Sequence, residues 1–204
     1  MRIAIIGTGN VGSRLAEGWT VAGHDVRVGS RSPRGGDLTP QDAVAGADVV
    51  VVAVPGSAAV DALRPLAPLL GGVIVVDVSN AVEVRDGVVV LSHPGTSVAE
   101  LLQRALPDAH IVKTLNLVND GAMVPRASPR AAELTNFIAG DDAGAREVAR
   151  RLLVDLGWAD GALVDLPALD YARALEQGIL LLTGARAEVS GLPLGLRLVT
   201  DAPD

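Results

Sequence analysis

Short apolar runs alternate with longer segments of helical period along the chain. The runs have the length of buried strands, whereas the segments between them repeat apolar residues every three or four positions. This alternation predicts an α/β fold, a doubly wound and mainly parallel sheet of six or seven strands with helices on both faces. The predicted strands cover residues 3–6, 25–28, 49–54, 73–76, 111–113, 136–139 and 162–164.

The segments between the runs predict helices over residues 11–22, 57–70, 97–106, 142–156 and 169–183. Ser57 and Thr96 are the expected N-caps of the second and third helices, and Pro65 and Pro68 are expected to kink or stop the second. The tail 191–198 alternates with period two, which predicts an edge strand in this sheet or in that of a neighbouring subunit. That pairing leaves a homodimer open.

Composition narrows the classes of function. The net charge of −7 argues against a nucleic-acid surface, and the absence of cysteine excludes disulfides, thiol catalysis and zinc thiolates. No apolar run approaches the roughly 18 residues that cross a bilayer, so we expect a cytoplasmic protein without membrane contact. The three histidines lie apart without metal-ligand spacing, and no metal is expected. Redox chemistry would therefore come from a bound cofactor.

A glycine-rich turn follows the first strand and opens the first helix. It reads Gly7-Thr8-Gly9-Asn10-Val11-Gly12, which fits G-x-G-x-x-G. In that arrangement Gly7 makes the tight turn, Gly9 lets the backbone approach a pyrophosphate, and Gly12 permits close packing. The N–H groups of the helix start then face the phosphates. A ligand-free turn is the alternative, but strand, spacing and helix together favour a Rossmann dinucleotide site.

The end of the second strand indicates which dinucleotide binds. NAD enzymes usually place an acidic residue there, about 20 residues after the glycines, to hold the ribose 2′-hydroxyl. This chain instead has Ser30, Arg31, Ser32 and, slightly further on, Arg34. These side chains offer hydroxyl and guanidinium donors to a 2′-phosphate, which a carboxylate would repel. A solvated basic turn is the alternative, and NADP(H) is the predicted cofactor.

Polar residues follow the later strands at the same edge of the sheet. Val54 and Pro55 leave the third strand, Ser79 and Asn80 leave the fourth, and Asn116 follows the fifth. Ligands lie outside the carboxyl ends of strands in open α/β sheets, so we expect these residues to line the nicotinamide half of the site. They are also common turn residues, which is the alternative.

Two residues are candidate proton donors, for a substrate that requires one. Lys113, at the end of the fifth strand, could orient the carboxamide, bind an anionic substrate or donate a proton, or could be a plain surface charge. Tyr171, near the start of the last helix, is the second candidate donor. His93 is a weaker candidate, and we expect structural roles for His24 and His110. At Asp141 and Asp142 we favour helix capping over metal binding.

With the glycine motif, the run Val28-Gly29-Ser30-Arg31 and the run Val112-Lys113-Thr114-Leu115-Asn116 in view, the chain resembles the deazaflavin-dependent NADP reductase family. The resemblance implies hydride transfer between NADPH and the 5-deazaflavin coenzyme F-420. It also implies a Rossmann domain over residues 1–165 and a C-terminal helix and tail over 166–204 that close the substrate cleft. Thr8, Gly9, Asn10, Val11, Ser30, Arg31 and Arg34 would hold NADP, with Pro55, Ser79 and Asn116 bordering the reactive ring.

Three other interpretations remain open from the residues. The chain could reduce an imine or a carbonyl compound, although the large helical domain that such families append is missing. It could be a nonenzymatic NADP(H) sensor or a scaffold that keeps the fold without using it. If the chain is an enzyme, whether it acts on a deazaflavin or on an imine or carbonyl compound, its expected partner is a small-molecule hydride acceptor or donor. The protein would hold this molecule against the cofactor by position and electrostatics.

Overall fold

The computed structural model describes residues 1–188 and 194–199. Seven strands form the main sheet, in the spatial order β2-β1-β3-β4-β7-β8-β9. All neighbouring pairs run parallel except β7 and β8, which are antiparallel, so β8 and β9 run opposite to the rest. The bounds are β1 (Arg2–Ile6), β2 (Asp25–Gly29), β3 (Val49–Val52), β4 (Ile74–Asp77), β7 (His110–Lys113), β8 (Asn136–Ala139) and β9 (Leu163–Leu166).

Within residues 1–188 and 194–199, six α-helices cover the two faces of this sheet. They are α1 (Asn10–Val21), α2 (Pro40–Val44), α3 (Gly56–Leu63), α4 (Val98–Ala105), α5 (Ala143–Asp155) and α6 (Tyr171–Glu188). No helix within the described residues has the length and apolar character needed to cross a membrane.

Strand residues point alternately to the two faces, so β1 serves two hydrophobic cores. Ile3 and Ile5 pack with Trp19 of α1 and Leu152 of α5, whereas Ala4 and Ile6 belong to the cluster that contains the buried residues of α2, α3 and α4. The Trp19 indole N–H donates to the Leu152 carbonyl at 2.9 Å, which joins α1 to α5. The doubly wound Rossmann fold predicted from the alternation is confirmed.

The site lies where the direction of winding reverses. Strand β1 pairs with β2 on one side and with β3 on the other, all in parallel. The connections that leave β1 and β3 therefore cross to opposite faces of the sheet and open a cleft between them at the carboxyl edge. The glycine-rich turn after β1 lies at this point.

Each of the seven predicted strands is present, with bounds that shift by one or two residues. A hairpin was not predicted: β5 (Val82–Arg85) and β6 (Val88–Leu91) pair antiparallel as a separate two-stranded sheet. Asp86 and Gly87 have φ of 51° and 79°, the left-handed conformations that a tight hairpin turn needs. The short helix α2, capped by Thr39, was also not predicted.

Two predicted N-caps were wrong. Ser97, not Thr96, caps α4, because its side chain accepts from the Glu100 N–H while the Glu100 carboxylate accepts from the Ser97 N–H. Helix α3 begins at Gly56, and its cap position is Pro55 rather than Ser57. The predicted interruption by proline is present, since α3 ends at Leu63 and a 3-10 segment covers Arg64–Leu69.

The C-terminal part of the chain returns to the carboxyl edge of the sheet. Helix α6 packs against β6, β8 and α4. Beyond it, Leu196 forms an antiparallel bridge with Thr135 of the same chain, and the Thr135 N–H donates to the Leu196 carbonyl at 2.7 Å. The predicted edge strand is thus a single bridge within residues 194–199, and its predicted start at 191–193 lies outside the described residues.

Candidate functional site

The glycine-rich turn after β1 contains three glycines, and close packing of the backbone requires two of them, Gly7 and Gly12. Gly7 has φ of +128°, and a Cβ there would lie 2.4 Å from the Ala53 carbonyl oxygen. A Cβ at Gly12 would lie 2.1 Å from the Gly7 carbonyl oxygen. Both glycines are therefore required for α1 to pack against β1 and β3, as the motif predicted.

Gly9 differs from the other two because nothing lies within 4 Å of the position that its Cβ would take. It is the N-cap of α1, and no side chain caps the helix there. The N–H groups of the first turn thus face open space rather than a capping side chain. This fits a pyrophosphate seated on the helix N-terminus, where both the N–H groups and the helix dipole favour an anion.

A groove of about 590 Å³ runs from this turn towards the end of β2. Ser30, Arg31 and Ser32 lie at one side of it, and Thr8, Val54 and Pro55 line it elsewhere. Among the described residues, no carboxylate oxygen lies within 4 Å of the Arg31 guanidinium. The groove therefore presents an exposed cation and two hydroxyl groups where a 2′-phosphate would lie. Arg34 belongs to the neighbouring exposed turn, where its N–H faces the Asp37 carboxylate at 3.4 Å.

A second groove of about 440 Å³ continues from the first and shares Gly9, Ala53, Val54 and Pro55 with it. Asn10 and Val11 line it from α1, and Ser79 and Asn80 line it from the turn after β4. The Asn119 side-chain oxygen is buried here without a hydrogen-bond partner among the described residues. An unpaired acceptor in a cleft fits a ligand amide, such as a nicotinamide carboxamide.

Helix α6 supplies the far wall of this groove. Arg186 lines both the second groove and a smaller cavity of about 110 Å³ beside it, together with Ile179, Leu182 and Thr183. These four residues recur at helical spacing and form one face of α6. Arg186 was not a candidate from the sequence, because nothing local distinguishes it from the other arginines.

Two asparagines join α6 to the floor of the cleft. The Asn116 side-chain amide donates to the Asn80 side-chain oxygen at 3.0 Å and to the Leu175 carbonyl at 2.9 Å. The Asn80 side-chain amide donates in turn to the Asn116 carbonyl at 2.9 Å. Asn116 is 2% exposed, so its NH₂ group holds the scaffold while Asn80 presents a face to the cleft.

Lys113 lies below the cleft rather than in it. Its side chain is fully buried, and the ammonium donates to Asp77 at 2.8 Å, to Glu176 at 2.9 Å and to the Ser79 carbonyl. All three of its hydrogens thus have partners within the protein. The geometry favours a structural role over the surface charge, ligand-binding and proton-donor roles considered from the sequence.

The two carboxylates around Lys113 have further partners. Asp77 accepts from the Ser79 N–H at 2.9 Å and from its hydroxyl at 2.7 Å, and Glu176 accepts from the Val98 N–H at 2.8 Å. Burial raises the pKa of Glu176, although Lys113 acts in the opposite direction. This triad joins β4, β7, α4 and α6 and fixes the turn that carries Ser79. Its pairing depends on residues far apart in sequence, which is why it was not predicted.

The remaining candidates lie away from the two grooves. Tyr171 is exposed at the start of α6 and belongs to none of the cavities described above. His24 pairs with Asp155 at 3.0 Å and His110 lies 3.8 Å from Asp142, which fits the structural roles predicted for both. Asp142 caps α5 by accepting from the Ala145 N–H at 2.7 Å, as expected.

Fold and site together define a dinucleotide-binding domain of the Rossmann type. The model of the family described as NADP oxidoreductase, coenzyme F-420-dependent, matches residues 2–81. This match covers part of the nucleotide-binding half of the chain and confirms the resemblance noted in the sequence over that segment.

Known proteins extend the likeness beyond the matched segment. A crystal structure from Arthrobacter sp. FB24, provisionally named an F-420-dependent NADP-reductase, superposes with a TM-score of 0.91 at 29% identity and covers 98% of this chain and 100% of its own. The rat metalloreductase STEAP3 is 30% identical over 86% of this chain, which spans only 36% of that protein. The imine reductase of Streptomyces aurantiacus shares the fold, with a TM-score of 0.66 at 16% identity over 91% of this chain and 62% of its own.

Proposed function

We propose that this protein transfers hydride between NADPH and a deazaflavin of the coenzyme F-420 type. The observation that carries the proposal is the pair of continuous grooves at the carboxyl edge of the sheet. One groove has the glycine turn and the Ser30 to Ser32 segment, and the other adds a ring-sized space between the turn after β4 and helix α6. The family match and the Arthrobacter structure favour F-420 as the occupant of that space.

The cofactor supplies the hydride, and the protein supplies position and exclusion of water. Gly9 and the first turn of α1 would hold the pyrophosphate, while Ser30, Arg31 and Ser32 would hold the 2′-phosphate. Pro55 and Ser79 border the space for the nicotinamide ring, and the Asn119 oxygen is available to its carboxamide. The apolar side chains Ile179 and Leu182 on α6 then close the acceptor side.

The side chains of the cleft favour a deazaflavin over an imine or a ketone. Reduction of an imine or a ketone needs a proton donor beside the reacting atoms. Asp120 and Arg186 are the ionisable residues that line the second groove among the described residues, and Asp120 pairs with Arg14 at 3.3 Å. The Lys113 ammonium is buried within the triad, and Tyr171 lies outside both grooves. A deazaflavin acceptor requires no protein acid, so it suits this cleft.

The test is the rate of NADPH oxidation with a panel of acceptors under identical conditions. The panel contains F-420, a flavin, a quinone, a cyclic imine, a carbonyl compound and ferric citrate, the last because of the relative named metalloreductase. We expect F-420 to give the highest kcat/KM. Turnover of the imine or the ferric complex without turnover of F-420 would reject the proposal. Tight NADPH binding without turnover of any acceptor would favour the sensor.

A second measurement addresses the proton donor. Replacing Tyr171 with phenylalanine removes its hydroxyl while keeping the ring, and because the side chain is exposed the substitution leaves the core packing intact. We expect kcat with F-420, and its pH profile, to be unchanged. A loss of kcat of about 100-fold, the size of a general acid's contribution, would assign Tyr171 a catalytic role instead.

A further inference from the structure

A third groove, of about 550 Å³, lies between α3 and α4 and shares Ser57 and Asp61 of α3 with the first groove. Ser57, Asp61 and Arg64 line it from one face of α3 and its continuation, Arg104 lines it from α4, and His93 lies in the loop before α4. Residues 57, 61 and 64 follow helical spacing, so their side chains share one face. The mechanism proposed above uses neither arginine.

The two arginines reach towards the edge of the sheet where the cleft opens. Side chains on a helix lean towards its N-terminus, and both α3 and α4 begin at the carboxyl edge of the strands that precede them. The Arg104 guanidinium confirms this direction, because it donates to the Thr96 hydroxyl at 3.4 Å, two turns nearer the helix start. Both arginines line this one groove.

Neither guanidinium is neutralised within the part of the chain that the structure describes. No carboxylate oxygen there lies within 4 Å of Arg64 or Arg104, although Asp61 lines the same groove. Several other arginines are paired, for example Arg150 with Asp160 at 3.0 Å. In a chain of net charge −7, two unpaired arginines in one groove form a local attraction for anions.

The third groove shares no lining residue with the second groove, but it reaches the wall of the proposed acceptor space through Gly56. Gly56 forms part of the lining of the third groove, and the Gly56 N–H donates to the Asn80 carbonyl at 3.2 Å. A Cβ at Gly56 would lie 2.6 Å from the Asn80 backbone, so the two segments touch. Asn80 itself lines the second groove. A ligand whose ring lies beside Asn80 thus needs only a flexible arm to reach Arg64 and Arg104.

We propose that this third groove binds an anionic arm, bearing phosphate or carboxylate groups, of the substrate that exchanges hydride with NADP(H). Arg64 and Arg104 supply guanidinium donors to the arm, and His93 lies beside them. Asp61 disfavours an anion on its own side of the groove, which directs the arm towards α4. The inference rests on the proposed function and names the class of acceptor: a ring with a charged side chain rather than a neutral one.

The experiment compares two acceptors that share a ring. F-420 carries a phosphodiester and carboxylates on its side chain, whereas its ribityl fragment carries neither. The variant is R64Q/R104Q, and the control is R151Q, an exposed arginine on α5 that pairs with Glu147. We expect KM for F-420 to rise by about 10-fold or more in the double variant, from the loss of charge-assisted hydrogen bonds. KM for NADPH, kcat, and KM for the ribityl fragment should stay as in the wild type and in R151Q.

The outcomes of this experiment distinguish a failure of the groove assignment from a failure of the proposed hydride transfer. An unchanged KM for F-420, or an equal rise for both acceptors, would overturn the groove assignment while leaving hydride transfer to the deazaflavin intact. If the wild type reduces neither deazaflavin, the proposed function fails. The groove is then tested on its own by titrating inorganic pyrophosphate into NADP⁺-saturated protein and following the arginine side chains by NMR. Shifts at Arg64 and Arg104 that R64Q/R104Q abolishes would then support an anion groove, and their absence would reject it.

Discussion

Replacing Lys113 with methionine should destabilise the protein far more than the loss of one surface ion pair. The substitution keeps a long apolar side chain but removes the ammonium, which leaves the buried carboxylates of Asp77 and Glu176 without their shared cation. Breaking a buried ion pair by removing one partner costs about 3–5 kcal/mol. The exposed control R151M breaks only a surface pair with Glu147 and should cost less than about 1 kcal/mol.

The second substitution makes this prediction specific to the triad. In K113M/E176Q one of the two orphaned charges is gone, while Asp77 still accepts from the Ser79 N–H and hydroxyl. The glutamine oxygen remains available to the Val98 N–H. We therefore expect the double variant to be more stable than K113M by about 1–3 kcal/mol, the range of coupling between residues in contact.

The pH dependence of the destabilisation in K113M follows from the direction in which the pKa of Glu176 is shifted. Burial raises the pKa of Glu176 in the folded protein, and removing Lys113 removes the cation that opposes this shift. A raised carboxyl pKa means that the folded state binds more protons than the unfolded state, so stability is retained at low pH and lost as pH rises through the folded pKa. The destabilisation of K113M should be smaller at pH 5 than at pH 8.

The assay is urea unfolding followed by tryptophan fluorescence at both pH values. Trp19 and Trp158 are both buried in the core, and their indole N–H groups donate to main-chain carbonyls, so both report loss of the packed state. A cost below about 1 kcal/mol for K113M, or a double variant less stable than K113M, would show that the ion triad is not what stabilises this part of the fold.

Three further outcomes are expected. R31D should raise KM for NADPH by about 10–100-fold and leave KM for NADH nearly unchanged, because the proposed partner of the guanidinium is the 2′-phosphate; equal losses would contradict this role. Gly9→Ala should keep wild-type stability yet weaken NADPH binding measured by calorimetry. Gly12→Ala should instead lower the midpoint of unfolding. The opposite pattern would refute the packing assigned to the turn. The hydrogen bond from Arg173 holds the pKa of Glu100 at about 2, below its usual 4.5. The free energy of unfolding should therefore fall as the pH drops from 4.5 towards 2. E100Q should flatten this part of the plot of stability against pH.

The parts of the fold that the sequence predicted are those whose signals are local. Apolar runs that are buried on both faces of the sheet were recognised, because strand length and apolar content suffice to identify them. The hairpin of β5 and β6 was missed because β5 alternates apolar and charged residues, and the apolar run Val88–Leu91 was not recognised as its partner. Its Asp86-Gly87 turn was nevertheless a readable hairpin signal.

The residues of the site also divide into contiguous motifs, which the sequence shows, and residues that only the fold brings together. The glycine turn and the Ser30 to Arg31 segment are contiguous motifs, and the structure places both on one groove. Lys113 was correctly placed at a strand end, but its partners Asp77 and Glu176 lie far away in sequence, so its burial could not be foreseen. Arg186 reaches the cleft only because α6 folds back over the sheet, which local pattern does not reveal.

Under the proposed function the position of α6 would determine which acceptors fit, and the same residues that form the cleft floor fix this position. The Leu175 carbonyl is held by Asn116, Glu176 joins the Lys113 triad, and Gly178 packs so closely on Leu117 that a Cβ would lie 2.9 Å from its methyl group. These anchors lie on the same side of the helix as residues 179, 182, 183 and 186, one turn before them, so they hold that face towards the cleft in a fixed register. The nucleotide motifs lie within the segment that the family model matches, whereas this face lies outside it. Acceptor choice in such proteins should therefore vary with the α6 face while the NADP site stays the same.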